Sequence, residues 1–352
     1  MQKKPVEIDG SMLEGGGSIV RLSSALSALT RKPVRIRNIR AGRPQTGLRN
    51  QHLRGLQLLS DIWGGRLENA RIGSMDVTFY PGRPSASQFS VTLDTAGSTG
   101  LVIQSLLIGA VKAHGRLDVA IEGGATFGLH APPLQYIQFV LLPLLRRMGL
   151  HSEINIVRDG FYPRGGACVK VFVIPCKDIG AVSMEDAGSV ESIDIISAAS
   201  SDLKKPRVAE RQIREAEKML KSRGYKVSFR MKYTETSSTG SGIVLVARTS
   251  SGCILGADSI GERGKLAEDV AAEAVVKLLK TIDSGAAVDE HMGDQLLPYM
   301  ALSGKACSIT VPVVTSHAGT NMHILETFLP VKFTVEGKCD IFRVSCAPAK
   351  PS

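Results

Sequence analysis

Three segments of the sequence place residues suited to phosphate chemistry where a strand gives way to a helix. The first reads DGSMLEGGGSIVR from Asp9, and its glycines leave backbone N–H groups open to an anion. Glu14 could hold a divalent metal through a carboxylate oxygen, and Arg21 follows one helical turn into the helix. The plain alternative is a glycine-rich turn that carries a surface acid and base. No G-x-x-x-x-G-K-[ST] segment occurs, which disfavours an ordinary P-loop enzyme.

The second segment, residues 35–54, reads RIRNIRAGRPQTGLRNQHLR and carries six arginines with no acidic residue between them. Guanidinium groups stay charged and hold phosphate oxygens in a bidentate fashion, which suits a triphosphate or an RNA terminus. Repulsion among these cations favours a bound anion, whereas a solvated basic loop is the alternative. Gln51 and His52 lie in the same run.

The third segment, VVTSHAGTN from Val313, contains His317 where a polar loop opens a helix. An imidazole that stays neutral near pH 7 presents a nitrogen lone pair, which is the form that a nucleophile requires. Because the chain has seven histidines, a capping or surface role for His317 is the alternative.

These segments belong to an order of elements that occurs three times: helix, strand, helix, strand, strand. The first copy covers residues 15–80, the second starts near residue 97 and ends near 173, and the third runs from about 290 to 342. In the first copy we expect helices and strands at residues 18–29, 34–39, 47–63, 66–72 and 76–80.

About a hundred residues separate the second copy from the third, far more than a connection requires. We therefore predict an inserted small α/β domain at residues 183–277, between a body of repeats one and two at residues 1–182 and repeat three at residues 278–352. Within the insert, the polar stretch TETSSTGSG at residues 234–242 is typical of a hairpin loop. The predicted fold class is mixed α/β, of the α+β type.

Composition limits the class of protein and the kind of partner. Of the 352 residues, 43% are hydrophobic and 22% charged, which is ordinary for a globular protein, and the net charge of +10 favours a polyanionic partner. Six cysteines without a C-x-x-C pair indicate a reduced interior. We find neither a secretory signal nor an apolar run long enough for a membrane, and we expect a cytoplasmic protein.

Six separated motifs in order resemble the RNA 3′-terminal phosphate cyclase family. They are DGSMLEGGGSIVR at Asp9, IRAGRPQTGLRNQHLRGL at Ile39, DTAGSTGLVIQ at Asp94, GFYPRGGA at Gly160, DEHMGDQLLPYMAL at Asp289 and SHAGTN at Ser316. The resemblance implies three repeats related to those of enolpyruvyl transferases, with a small domain inserted before the last. It also implies ATP-dependent conversion of an RNA 3′-terminal phosphate to a 2′,3′-cyclic phosphate, through a histidyl-adenylate and an RNA-adenylate.

The resemblance also implies roles for individual residues at the matching positions. His317 is the expected nucleophile, with Thr320 and Asn321 closing its motif, and Glu14 is the expected ligand of a divalent metal, Mg²⁺ or Mn²⁺. The residues expected to bind the pyrophosphate or the RNA phosphate are Arg21, Arg40, Arg43 and Gln51. The residues expected to line the adenosine pocket are Gln104, Pro132, His291, Asp294 and Gln295.

Position 291 departs from the pattern, because some family members carry tyrosine where this chain has His291, and stacking on adenine should differ there. The segment ATFGLHAPP around Pro132 is less regular than its neighbours. The expected partner is RNA with a 3′-terminal phosphate, and no association with a membrane is expected. The sequence leaves open whether the protein forms a homo-oligomer. Two other functions are compatible with the same fold: a non-catalytic factor in ribosomal RNA processing, and an enolpyruvyl transferase.

Overall fold

A computed structural model of the protein describes residues 4–84, 86–338 and 340–349. The described residues form four sheets of four strands with helices packed against them, which confirms the predicted mixed α/β class. The five described cysteines are free, and Cys339 lies outside the described residues. No helix in the described part of the chain is both long and apolar enough to cross a lipid bilayer.

The first sheet is formed by the N-terminal quarter of the chain. Its strand order is β1-β2-β4-β3, with β1 parallel to β2 and the other neighbours antiparallel. The elements are β1 (Val6–Asp9), α1 (Gly17–Thr30), β2 (Val34–Arg37), α2 (Asn50–Ile62), β3 (Arg66–Glu68) and β4 (Val77–Tyr80).

The second sheet repeats this order and sense of pairing, as β5-β6-β8-β7 with β5 parallel to β6. A π-helical stretch, Ile137–Leu141, joins its two short α-helices into one continuous run. The elements are β5 (Gln88–Ser98), α3 (Thr99–Gly109), β6 (Leu117–Ala125), α4 (Leu134–Tyr136), α5 (Leu142–Arg147), β7 (His151–Arg158) and β8 (Cys168–Ile174).

A two-residue strand, β9 (Ser183–Met184), precedes the inserted sheet, whose order is β11-β10-β12-β13. The polar loop at residues 234–242 does not close a hairpin, because β10 lies between β11 and β12. That prediction was wrong: loop polarity does not reveal which strands pair. The elements are β10 (Val190–Ser200), α6 (Val208–Ser222), β11 (Val227–Thr234), β12 (Ser241–Thr249), β13 (Ile254–Ile260) and α7 (Ala267–Ser284).

The third body sheet has the order β9-β14-β16-β15, again with a parallel first pair. Ser183 and Met184, which the sequence analysis placed in the insert, pair here with β14. The leading strands β1, β5 and β9 were all absent from the predicted pattern, since each is short or alternates with exposed polar residues. The remaining elements are α8 (Glu290–Ser303), β14 (Cys307–Val311), α9 (Ser316–Phe328), β15 (Val331–Lys338) and β16 (Ile341–Pro348).

One hydrophobic core runs through the three body sheets and continues onto one face of the inserted sheet, through residues such as Ile196 and Val244. The opposite face of the inserted sheet packs against α6 and α7 around Ile195 and Leu245. Helix α1 packs against α3 and α9, and α9 packs against α8, so helices from all three body units are in contact.

Candidate active site

A cavity of about 420 Å³ opens between α1, α3, α8 and α9, and the starts of α1 and α9 contribute to its lining. Such a volume is typical of a small-molecule site, and helix N-termini favour a negatively charged group. The predicted site residues that line it are Arg21, Gln104, Pro132, His291, Asp294, Gln295, His317 and Asn321. Sequence segments far apart in the chain therefore contribute to one cavity.

His317 lies at the start of α9, with its side chain 50% exposed and facing this cavity. Its Nδ1 lies 3.2 Å from Glu14 Oε2. Because the carboxylate accepts a hydrogen bond, Nδ1 carries the proton and Nε2 keeps the lone pair when the ring is neutral. Thr315 positions the helix start, since its hydroxyl accepts from Ala318 N at 3.0 Å and donates to Asp294 Oδ1 at 2.6 Å.

The hydrogen bond to Glu14 raises the pKa of His317, against the opposing effect of burial. A carboxylate distant in sequence therefore favours the imidazolium, an effect that the segment around His317 does not reveal by itself. The neutral form of His317 therefore becomes the major form only at a higher pH than it does for an isolated histidine.

Glu14 is 7% exposed and is held on several sides. Ser18 Oγ donates to its Oε2 at 3.0 Å, Arg43 forms an ion pair with Oε1, and Arg43 Nη2 also donates to the Glu14 carbonyl at 3.0 Å. Burial raises the pKa of Glu14, but the hydrogen bond and charge of His317, with Ser18 and Arg43, outweigh it and lower the pKa to about 2. The group is a carboxylate at any physiological pH.

Glu14 would be a lone protein ligand for a metal. Among the described residues, no cluster of three or more His, Cys, Asp or Glu could hold an ion. Mg²⁺ is commonly held by one or two carboxylates together with phosphate oxygens of a substrate. The donor set therefore fits a cation that arrives with a nucleotide, and does not fit a metal held by protein alone.

The six arginines of residues 35–54 divide into two groups in the structure. Arg35, Arg37 and Arg54 form ion pairs with Asp76, Glu7 and Asp94, which belong to other parts of the chain. The expected repulsion among the six cations is therefore weaker than the run alone indicates, because acids distant in sequence pair with these three, and Glu14 pairs with Arg43. Arg40, Arg43 and Arg49 face one another near Glu14.

Arg21 of α1 lies beside Arg40 of this group. Burial lowers its pKa to about 10, with a further contribution from Arg40, so the guanidinium stays charged at neutral pH. Arg40 Nε donates to Gln45 O at 3.2 Å, and burial together with Arg43 and Arg49 lowers its pKa. Cations packed this closely bind an anion with a large electrostatic gain.

Gln51 does not line the cavity but connects two elements beside it. Its Oε1 accepts from Ser98 N at 2.8 Å, which fixes the start of α3. The neighbouring His52, which the sequence analysis gave no role, is 3% exposed and accepts from Arg49 N at 3.2 Å through Nδ1. Burial and the three surrounding arginines lower the pKa of His52 to about 3, so this ring is neutral.

The far end of the cavity contains the residues expected around adenosine. Gln104 Nε2 donates to Gln295 Oε1 at 3.1 Å, and Asn321 Nδ2 donates to the Asp294 carbonyl at 3.3 Å. Burial raises the pKa of Asp294 to about 6. The ring of His291 meets that of Tyr136 edge-on, with centroids 6.0 Å apart.

Several residues that line this cavity carry a buried polar atom with no hydrogen-bond partner among the described residues. Buried donors and acceptors are normally paired, so these residues have unused hydrogen-bonding capacity beside the cavity. The unpaired atoms are Asp258 Oδ1, Gln295 Nε2, Tyr299 Oη and Asn321 Oδ1.

One wall of the cavity comes from the inserted domain and was missed by the sequence analysis. Lys265 and Lys277 both pair with Glu273, and Lys277 Nζ donates to the Asp258 carbonyl at 3.1 Å. These residues stand in no recognisable motif, and only the three-dimensional contact between β13, α7 and the body reveals them. His130 and Tyr299 line the cavity as well and were not predicted.

Comparison with known proteins places these features in a family context. A family model described as RNA 3′-terminal phosphate cyclase matches residues 12–335. A curated protein of that name from Caldivirga maquilingensis is 42% identical over 331 residues, covering 92% of each chain. Another, from Methanothermobacter thermautotrophicus, is 39% identical over 339 residues, covering 95% of this chain and 97% of the relative. A solved enolpyruvyl transferase, NikO from Streptomyces tendae, aligns at 10% identity with a TM-score of 0.27, over 100% of this chain and 84% of that one.

Proposed function

Because the chain belongs to the RNA 3′-terminal phosphate cyclase family, we propose that it uses ATP to convert an RNA 3′-terminal phosphate to a 2′,3′-cyclic phosphate, with His317 as the nucleophile. One observation carries the proposal: His317 faces a ligand-sized cavity, and the Glu14 carboxylate engages its Nδ1. A cytoplasmic location with RNA as the partner belongs to the same proposal.

In the first step, Nε2 of neutral His317 attacks the α-phosphorus of ATP. The bond to the β-phosphate breaks, pyrophosphate leaves, and AMP stays on the imidazole. Nε2 needs no separate base, because the ring proton already lies on Nδ1, hydrogen-bonded to Glu14. Negative charge gathers on the non-bridging oxygens, where Arg21 and the N-termini of α1 and α9 supply opposite charge.

Glu14 would hold the divalent cation, Mg²⁺ or Mn²⁺, which when bound supplies positive charge to the phosphate oxygens. Arg40 and Arg43 lie on the same side as Glu14 and would hold the pyrophosphate portion or the incoming RNA phosphate. Gln51 is a positioning residue, because its hydrogen bond with Ser98 N holds the start of α3 in place.

In the second step, an oxygen of the RNA 3′-phosphate attacks the adenylyl phosphorus, the phosphorus–nitrogen bond breaks, and His317 is freed. In the third step, the neighbouring 2′-hydroxyl attacks the activated 3′-phosphate, its proton is released, and AMP leaves. Throughout, adenosine would occupy the end of the cavity lined by Gln104, Pro132, His291, Asp294 and Gln295. The amide side chains of Gln104 and Gln295 support this placement, because an amide can donate to a purine ring nitrogen and accept from an amino group.

Incubation with α-labelled ATP and Mg²⁺ should leave a label on the protein that is acid-labile and alkali-stable, as expected for a phosphoramidate. His317→Ala should abolish the label, because it removes the ring nitrogen that takes the adenylyl group. His323→Ala is the matched control, since His323 lies on the same helix, is exposed, and does not line the cavity. It should be labelled like the parent.

Full labelling of His317→Ala would place the nucleophile elsewhere. Complete absence of label and of cyclase activity in the parent protein would instead favour the non-catalytic ribosomal RNA processing factor. An enolpyruvyl transferase would turn over phosphoenolpyruvate and would leave no adenylate on the protein.

A further inference from the structure

The turn between β7 and β8, residues 160–166, carries the motif GFYPRGG and has no part in the chemistry described above. Its backbone is held tightly against β6. Phe161 is 2% exposed and stacks on Phe127, with ring centroids 5.5 Å apart. Gly165 has φ +76°, donates from its N to Phe161 O at 2.7 Å, and leaves no room for a Cβ, which would lie 2.5 Å from Gly124 O.

This fixed turn presents two side chains to solvent. Tyr162 is 60% exposed, and Arg164 is exposed and takes part in no ion pair of the described chain. A single exposed tyrosine is unremarkable by itself. However, proteins that bind single-stranded nucleic acid combine such side chains on a fixed surface. A base stacks on the aromatic ring, and a phosphate contacts the guanidinium.

The turn adjoins the mouth of the active-site cavity. Phe127, on which Phe161 stacks, is followed by Gly128 and by Leu129 and His130, which line the cavity. Gly128 is pressed against Ser98, since a Cβ on Gly128 would lie 2.7 Å from the Ser98 Cβ. Ser98 N in turn is held by Gln51. A line of contacts therefore leads from Gln51, at the start of α3, to the turn.

On its other side the turn contacts the inserted domain. Arg164 N donates to Ser238 Oγ at 2.9 Å, and the next residue, Thr239, donates to Asp202. Immediately after Asp202 come the exposed cations Lys204, Lys205 and Arg207. Unlike Arg211, Lys218 and Lys221 farther along α6, these three form no ion pair within the described residues.

The charge of this surface is mixed but positive on balance. Its acids are Asp202, which accepts from Thr239, the exposed Glu235, and Glu122, which pairs with Arg158 beside the turn. Arg164 and the three cations before α6 outnumber them. A surface with excess positive charge and an exposed aromatic ring, adjacent to a site for an RNA end, fits the strand that precedes that end.

We propose that the turn at residues 160–166 binds the RNA strand immediately upstream of its 3′ end, and that Lys204, Lys205 and Arg207 hold phosphates farther upstream. Tyr162 stacks on the base of a nucleotide close to the terminus, and Arg164 contacts a backbone phosphate. The inference rests on the proposed cyclase function and assigns the inserted domain a share of the substrate. It predicts that affinity for RNA increases with strand length beyond the terminal nucleotide.

The test is a binding titration without ATP, using a single-stranded RNA with a 3′-terminal phosphate and 2-aminopurine next to the terminal nucleotide. Stacking on Tyr162 should quench the fluorescence. Tyr162→Ala should lose the quench and weaken binding about tenfold, as expected for one base–aromatic stack. Tyr162→Phe should retain both, because stacking does not require the hydroxyl. Phe229→Ala is the matched control, since Phe229 is 56% exposed and lies on β11 of the inserted domain.

A second series addresses the charges. Arg164→Ala and the double change Lys204→Glu with Lys205→Glu should weaken binding of a longer RNA and reduce its salt dependence. The double change should leave a 3′-phosphorylated dinucleotide unaffected. Arg223→Ala, an exposed arginine at the end of α6, should change neither quantity.

Unchanged quenching and affinity in Tyr162→Ala, or equal losses in Phe229→Ala, would overturn the proposal. The result is independent of the adenylation chemistry, because labelling by α-labelled ATP requires no RNA. If ATP does not label the parent protein but the RNA fluorescence is still quenched, the proposed function is contradicted and the RNA-binding proposal is not. Normal labelling of Tyr162→Ala would show that the variant folds and that any defect concerns the RNA strand.

Discussion

The imidazole of His317 depends for its chemistry on a residue that the sequence places almost at the other end of the chain. Glu14 fixes which ring nitrogen carries the proton, and the same contact raises the pKa of the ring. Each residue was a candidate on its own, one as a metal ligand and one as a nucleophile. Their contact could not be predicted, because nothing in either segment encodes the packing of α1 against α9.

A second residue of the cavity, Asp258, should make stability depend on pH. Burial raises the pKa of Asp258 to about 6, against the favourable charges of His291, whose Nε2 lies 4.0 Å away, and Lys277. Its Oδ1 has no hydrogen-bond partner among the described residues. The folded protein therefore holds this proton to higher pH than the unfolded chain does, and ionisation of Asp258 costs stability.

We predict that Asp258→Asn increases the free energy of unfolding at neutral pH by about 2–3 kcal/mol, since each pKa unit corresponds to about 1.4 kcal/mol. Between the ordinary aspartate pKa of 3.8 and about 6, the native state binds more protons, so the contribution of Asp258 to stability falls as pH rises. The difference between variant and parent should shrink towards zero near pH 4. Urea unfolding at a series of pH values measures it, and a constant difference across that range would refute the assignment.

At the scale of elements, the packing of α1 against α2 depends on Gly17, the last residue of the glycine run at the start of the helix. A Cβ on Gly17 would lie 2.1 Å from Nε2 of the buried His52, whose Nδ1 is already occupied by Arg49 N. Helix α1 can therefore approach α2 only with glycine at this position. This approach brings Arg21 of α1 beside the cations around His52.

Gly17→Ala should lower the free energy of unfolding by about 1–3 kcal/mol, the usual cost of an extra methyl group in a filled space. In a His52→Ala background the same change should cost much less, because the obstructing ring is gone. Gly319→Ala is the matched control, a helical glycine with open space around its Cβ position, and should cause no loss. Chemical denaturation of the four variants provides the comparison. Equal costs in both backgrounds would show that His52 is not the obstacle.

Much of the element pattern could be predicted, and the failures share a physical cause. Helix α1 was expected at residues 18–29 and spans Gly17–Thr30, because apolar residues recur along it at helical spacing. The leading strands were missed, and the loop at residues 234–242 was assigned to the wrong topology, because pairing is decided by partners distant in sequence. The same limit applies at the site: the ion pair between Arg35 and Asp76 was invisible to a reading of the arginine run alone.

For the whole molecule, one buried carboxylate joins three parts of the chain. Asp289 is 2% exposed and accepts from Tyr136 Oη at 2.5 Å, from Gly256 N at 2.8 Å and from Met292 N at 3.0 Å. These donors belong to the second body unit, the inserted sheet and the start of α8. The inserted domain is thereby fixed against the body at a point next to Asp258, where it forms a wall of the cavity.

Asp289→Ala should therefore destabilise the protein by about 3–5 kcal/mol, because it leaves the Tyr136 hydroxyl and the Gly256 N–H buried without a partner and removes the cap of α8. Ser98→Ala, which removes only the cap of α3, should cost about 1 kcal/mol. Tyr136→Phe should cost less than Asp289→Ala, and the two changes together should cost less than their sum, since both break the same contact. If Asp289→Ala costs no more than Ser98→Ala in chemical denaturation, the carboxylate acts as a helix cap alone. The position of the inserted domain would then depend on apolar packing around Ile196 and Val244.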